Sequence, residues 1–399
     1  MNIPCRKWAA CLPGLLLSLS LHAQPEVRWA DSVVTGAERT ESYWNLLRGR
    51  NVALVVNHSA RIGTTHLADS LLRAGISVKK IFSPEHGFRG LADAGMPVPS
   101  SRDEQTGLPV LSLYGKNYKP TTQQLQDVDV VVYDIQDVGV RFYTYLSTLH
   151  YVMEACAENN KPLIVLDRPN PNGFYVDGPV LDTAFRSFVG MHPVPVVYGM
   201  TVGEYARMIN GEGWLAGNRT CSLTVIPCRN YDHSMLYPLP VPPSPNLRSL
   251  KAVLAYPSLC FFEGTPVSVG RGTEKPFLLF GYPGYRRGST LFIPQPMAGA
   301  TAPPYSGQEV HGHDLSILTE AYFYERRSIN LYWLMDMYQS FPDKSRFFLP
   351  FFNKLAGTNL LQQQIRDGLN EAAIRETWKP QLEAFREIRK KYLLYPDFE

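Results

Sequence analysis

The stretch Ser83-Pro-Glu-His-Gly-Phe-Arg-Gly90 sets a carboxylate, an imidazole and a guanidinium within five residues, fenced by Pro84, Gly87 and Gly90. It comes directly after the apolar pair Ile81-Phe82. A set of this kind can move protons. Glu85, in a turn behind an apolar strand, is expected to be partly buried, which would raise its pKa into the range of a general acid. His86 can orient it or donate to a substrate hydroxyl. A surface ion pair between Glu85 and Arg89 is the plain alternative. The strand-end position and the flanking proline and glycines favour a site.

One carboxylic acid suffices to protonate a leaving group, but hydrolysis of a glycosidic bond also wants a second carboxylate, as nucleophile or as base for water. The candidates are Asp134, Asp167, Glu263 and Glu274. Asp167-Arg168-Pro-Asn-Pro also reads as an Asx-type turn with a local ion pair. Glu274 comes after Gly270-Arg271-Gly272, a flexible loop that either reaches a cleft or stays at the surface. Arg271, Arg141 and Arg168 are candidate readers of a substrate carboxylate, because a guanidinium grips one in a two-point fork. Phe142, Tyr143 and Tyr145 could stack on a sugar face, though Tyr145 at helical spacing also fits a core. The expected catalytic set is therefore Glu85, His86, Asp134 and Glu274. The expected binding set is Asn57, His58, Arg141, Tyr143, Asp167, Arg168, Asn246, Glu263 and Arg271.

Other chemistries find less support. No G-x-G-x-x-G comes after the first strand, and neither a phosphate-binding G-x-x-x-x-G-K-[ST] nor a G-x-S-x-G elbow occurs. His311-Gly-His313 and a convergence of His86, His58 and Asp134 are the nearest approaches to a metal site, but H-E-x-x-H is absent, so neither metal nor cofactor is expected.

The elements that must position these residues alternate. Asn51–Val56, Val78–Phe82, Pro109–Leu113, Val128–Tyr133, Leu163–Leu166 and Ser222–Ile226 read as buried strands. Leu67, Leu71 and Leu72 recur at helical spacing, as do Tyr145, Leu149, Val152 and Cys156. Thr201 and Glu204 form a capping-box pattern. Continuous apolar strands alternating with helices predict a doubly wound, mostly parallel, Rossmann-like α/β sheet covered on both faces. Ligands of such sheets sit beyond the carboxyl ends of the strands, and five of these strands end in polar side chains. The prolines at 238, 240, 242, 243 and 245 predict a stiff connector. A smaller α+β domain is expected beyond it, giving a Rossmann-like catalytic domain over 32–238, an auxiliary domain over 239–399 and a cleft between them.

Residues 1–23 carry Arg6 and Lys7, then the apolar run Leu12–Leu21, then His22-Ala23, and read as a cleavable secretory signal. The alternative is an uncleaved anchor. Cleavage would lower the formal charge from +3 to +1, since it removes Arg6 and Lys7. A near-neutral chain argues against nucleic acid as partner and leaves room for an acidic sugar at a local basic spot. Cys156, Cys221, Cys228 and Cys260 would remain, as buried thiols by default; a Cys221–Cys228 disulfide is conceivable.

Taken together, Ser83-Pro-Glu-His-Gly87, Tyr133-Asp-Ile-Gln-Asp-Val-Gly-x-Arg-Phe-Tyr-Thr-Tyr145 and Asp167-Arg-Pro-Asn-Pro-x-Gly173 resemble the exo-β-N-acetylmuramidase NamZ family, formerly a domain of unknown function. Pro243-Ser-Pro-Asn246, Glu263-Gly-Thr-x-Val-Ser-x-Gly-Arg-Gly-Thr-Glu274 and Phe385-x-x-x-Arg389…Tyr392-Leu-Leu-Tyr395 are similar to it as well. The resemblance runs in order from about residue 35 to the end. It implies a Rossmann-like domain with a smaller C-terminal domain and the site at their interface. It implies hydrolytic release of N-acetylmuramic acid from the non-reducing end of peptidoglycan fragments (β-1,4 to N-acetylglucosamine), with Glu85 as the catalytic residue. One departure is Asp177, where a glutamate is expected of relatives. A metal-dependent hydrolase and a silent periplasmic sugar binder are the rival readings.

Overall fold

Asn51–Val56 (β1) shows why the chain builds a sheet buried on both faces. Ala53 and Val55 enter one hydrophobic core, while Val52, Leu54 and Val56 enter another. The same alternation holds in Val130–Asp134, where Val131 and Tyr133 face the first core and Val130 and Val132 the second. Strand side chains repeat with period two, so a continuous apolar run feeds two cores at once. Each fully buried Val or Leu contributes about 1.5–3 kcal/mol.

The computed structural model describes residues 27–399 apart from Leu91 and Val98; the signal-like segment lies outside the described residues. After β1 come β2 (Ser77–Ser83), β3 (Ser101–Arg102), β4 (Pro109–Ser112), β5 (Val130–Asp134), β6 (Leu163–Leu166) and β7 (Leu223–Ile226). They form one sheet in the order β3-β4-β2-β1-β5-β6-β7. All neighbours pair in parallel except β3 with β4. Six of the strands match the apolar runs; β3, two polar residues long, has no apolar signal to announce it. The winding reverses at β1, whose neighbours β2 and β5 lie on opposite sides, and a crevice at such a switch point is the expected ligand site. The helix Val202–Gly211 begins with the Thr201–Glu204 capping box in both directions.

The smaller C-terminal domain carries β8 (Leu279–Tyr282), β9 (Thr290–Phe292) and β10 (Val310–Asp314), an antiparallel sheet in the order β8-β10-β9. Its aromatic core, including Phe261, Phe262 and Phe280, is continuous with the first face of the large sheet. Polar ties fix the two domains further. Arg389 is fully buried and pairs with Asp397 at 2.6 Å, while its Nε donates to the Gly199 carbonyl at 2.9 Å. The Tyr395 hydroxyl donates to Asp167 at 2.6 Å, and Leu394 N–H donates to Glu204 at 2.7 Å. Asp177, which stands where relatives are expected to carry glutamate, takes Arg375 on both oxygens at 2.9 Å and the Ile329 N–H at 2.7 Å. It is a strut between the domains.

The four cysteines of the described residues are free and buried. Cys221 lies beside Cys156, not Cys228, and the Cys228 thiol donates to the Asp167 carbonyl at 3.3 Å. The conceivable 221–228 disulfide is therefore absent.

Candidate active site

Pro84 ends the β2 ladder because it has no N–H to donate. The chain then turns sharply: His86 adopts a left-handed φ of 67° and Gly87 one of 78°. A non-glycine residue held there stores about 1–3 kcal/mol, a cost typical of functional loops. Gly90 is required for a different reason, since a Cβ there would run into the His58 ring.

This turn carries Glu85 into a cavity of about 390 Å³ between the two domains, where it is 8% exposed. Its Oε1 accepts the Gly95 N–H at 2.7 Å and its Oε2 accepts the Thr144 hydroxyl at 2.6 Å. Thr144 occupies the N-cap of the helix Tyr145–Glu158, yet its hydroxyl makes no capping bond; it is spent on Glu85. The Tyr114 phenol also faces the carboxylate. Burial first, and then the Glu85 charge, push its pKa well up, so it remains a donor.

His86 Nδ1 lies 2.7 Å from the Ala92 carbonyl. A carbonyl only accepts, so Nδ1 carries the proton and Nε2 is left as the ring's acceptor. Burial lowers the His86 pKa, against an opposing pull from Glu85, which keeps the imidazole neutral. Across the cavity, Arg271 Nε donates to Glu263 Oε1 at 2.9 Å and its Nη2 lies 2.7 Å from the same oxygen. The guanidinium sits 5.1 Å from the Phe277 ring centroid. Its Nη1 has no hydrogen-bond partner among the described residues. Asn246 is held by the Gly299 carbonyl at 2.8 Å and Tyr143 by the Pro243 carbonyl at 3.0 Å. Both line the cavity.

The structure thus brings together Glu85, His86, Tyr143, Asn246, Glu263 and Arg271. The remaining candidates are placed elsewhere. Asp134, expected as a catalytic carboxylate, is 0% exposed and forms a two-point ion pair with Arg168, at 2.5 and 2.9 Å. Neither reaches the cavity, and Arg168 reads an internal carboxylate instead of a substrate's. Asp167 accepts Tyr395, Thr201 and the Gly203 N–H, and burial pushes its pKa up to about 6. Arg141 gives all its bonds to the carbonyls of Pro179, Val194, Leu355 and Ala356, a staple between domains with no fork to spare. Asn57 is occupied by Tyr145 and Ser59. His58 donates to the Pro242 carbonyl at 2.7 Å and borders a separate polar hollow with Arg61. Glu274, whose side chain is 84% exposed, pairs with Arg248 on the surface. His58, His86 and Asp134 do not converge, and no metal-ligating cluster of His, Cys, Asp or Glu occurs among the described residues. Sequence reasoning missed Thr144 and the role of Tyr114. The motif containing Thr144 was visible, but a threonine before a helix reads first as a cap.

Among the cavity-lining side chains, Glu85 and Glu263 are the carboxylates. The arrangement offers a buried carboxyl group on Glu85, a neutral imidazole with Nε2 as acceptor, and a cation with an unused donor in the same cavity. That combination suits protonation of a leaving oxygen on a substrate bearing a negative charge.

Known proteins share both the sequence pattern and the fold. The family model described as exo-beta-N-acetylmuramidase NamZ, N-terminal, matches residues 52–251, and its C-terminal counterpart matches residues 254–395. A curated relative from Bacillus subtilis, "Peptidoglycan beta-N-acetylmuramidase NamZ", is 37% identical over 372 residues, covering 88% of this chain and 89% of the relative. Two crystal structures of DUF1343 family proteins from Bacteroides fragilis share the fold. One has a TM-score of 0.86 at 45% identity, covering 92% of this chain and 99% of that one. The other has 0.73 at 30%, covering 93% and 100%.

Proposed function

This chain belongs to the exo-β-N-acetylmuramidase NamZ family, and on that premise we propose that Glu85 is its general acid and that Arg271 reads the lactyl carboxylate of the muramic acid. The enzyme is a glycosidase releasing N-acetylmuramic acid from the non-reducing end of peptidoglycan fragments. The observation that carries the residue assignment is the buried Glu85 carboxylate, held by Gly95 and Thr144 at the wall of a cavity shared by both domains.

At about 390 Å³ the cavity lies near the low end of the ~300–1,000 Å³ usual for ligand pockets, a short recess with little length for a glycan strand. A terminal sugar fits such a shape better than the middle of a chain. Glu85 passes its proton to the bridging oxygen as the bond to the anomeric carbon breaks; water supplies the hydroxyl that replaces it, and the water's remaining proton returns to the Glu85 carboxylate. His86 presents Nε2 as acceptor to a sugar hydroxyl or to that water. Arg271 points Nη1 at the lactyl carboxylate while Glu263 fixes the guanidinium plane, and Asn246 offers its amide oxygen to the 2-acetamido group.

Replacing Arg271 with Ala tests the carboxylate assignment. Hydrogen bonds to charged groups contribute about 1.5–3 kcal/mol, so KM for a chromogenic β-N-acetylmuramide should rise on the order of 10–100-fold. The corresponding N-acetylglucosaminide, which lacks the lactyl group, should change far less. Equal losses on both would remove Arg271 from the reading role.

We also propose that the chain is exported, since residues 1–23 have the pattern of a cleaved signal and wall fragments are met outside the cytoplasm. Mass spectrometry of the extracytoplasmic fraction should find a mature N-terminus near Gln24. An intact protein confined to the cytoplasm would refute this.

A further inference from the structure

Four aromatic side chains from three separate segments meet beside the acid. Tyr114 and Tyr118 come just after β4, Tyr151 lies on the helix Tyr145–Glu158, and Phe188 comes from the loop before Gly190. The Tyr118 and Phe188 centroids are 4.2 Å apart, and Tyr114 lies 5.7 Å from Phe188. Tyr151 is 6.3 Å from both Tyr118 and Phe188 with its plane within 24° and 13° of theirs. The Phe188 carbonyl is pinned by the Ser147 hydroxyl at 2.7 Å. All four rings are half-buried, whereas Phe142, Tyr143, Tyr256 and Phe277, deeper in the same region, are buried. Tyr114, Tyr118 and Phe188 line the cavity.

We propose that these rings form the subsite for the leaving sugar, an aminosugar of the glycan chain held by its apolar face against Tyr118 and Phe188. The inference rests on the glycosidase reading and adds the second half of the substrate. A general acid stands between the two sugars whose bond it breaks, so a second surface of the same cavity, distinct from the one that carries Arg271, holds the departing residue. Tyr114, which faces the Glu85 carboxylate and packs on Phe188, makes the rings continuous with the acid. A pyranose has an apolar C–H face and a polar rim; flat rings with phenolic edges match both. Binding energy gathered there is realised as the leaving oxygen is lined up with the proton, so it should appear in kcat/KM for substrates that carry the second sugar.

The test compares the disaccharide N-acetylmuramyl-β-1,4-N-acetylglucosamine with β-N-acetylmuramyl fluoride, which carries no leaving sugar. In the double variant Tyr118→Ala, Phe188→Ala, the loss of kcat/KM on the disaccharide should exceed the loss on the fluoride by about tenfold or more. Tyr118→Phe keeps the ring and should retain most of the wild-type preference for the disaccharide. Equal losses on both substrates, or no loss on either, would overturn the proposal while leaving the muramidase reading intact. A wild-type enzyme inert on both would overturn that reading, and this proposal with it.

Discussion

Glu85→Gln is expected to lower turnover of a β-N-acetylmuramide with a poor leaving group by about 10²–10⁴-fold, the range that loss of general-acid catalysis predicts. The substitution keeps the side-chain length and volume. A glutamine oxygen can still accept the Gly95 N–H, and its amide can donate to the Thr144 hydroxyl, so both anchoring contacts survive in altered polarity. What disappears is the acidic proton that a carboxyl can donate. Two readouts separate that loss from a damaged fold. Thermal unfolding should be nearly unchanged. Hydrolysis of β-N-acetylmuramyl fluoride, whose leaving group departs without a proton, should be much less affected than that of an alkyl or disaccharide substrate. A change within a few-fold on the poor leaving group would move the acid elsewhere.

Asp134→Ala is expected to act on stability instead. Asp134 and Arg168 lie at 0% and 3% exposure beneath the carboxyl ends of β5 and β6. Truncating one partner of such a pair strands the other charge in the interior, at a cost of about 3–5 kcal/mol, a large share of a typical domain's stability. Denaturant titration should show this as a lowered midpoint, or as loss of soluble protein. The fraction that remains folded should keep most of its activity per molecule, because the pair does not reach the cavity. A stable but inactive Asp134→Ala would restore Asp134 to the catalytic set.

These two residues show what could and could not be read from the chain. Both are acids at the ends of parallel strands, and local pattern treats them alike. The strands themselves were legible because continuous apolar runs are what a doubly covered sheet requires. The cavity residues Glu263 and Arg271 were legible as polar groups flanked by glycines, and Asn246 through its Pro-Ser-Pro-Asn motif. What separates Glu85 from Asp134 and Asp167 is the identity of distant partners. Asp134 is neutralised by a residue 34 positions on, and Asp167 is bonded by Tyr395, 228 positions on. Pairing over such separations leaves no periodic trace. Arg141 misleads in the same way, since an arginine that caps four carbonyls and one that awaits a carboxylate look identical in sequence. Glu274 misleads through the loop beside it: Arg271 of that loop turns inward to Glu263, while Glu274 turns out to Arg248.

The ties that run from Tyr395, Leu394 and Arg389 into the large sheet, with Arg141 clasping Leu355 and Ala356, stitch the molecule along more than one edge. Such stitching resists opening of the jaw, so a glycan strand is expected to meet it tip first and the freed sugar to back out before the next tip arrives.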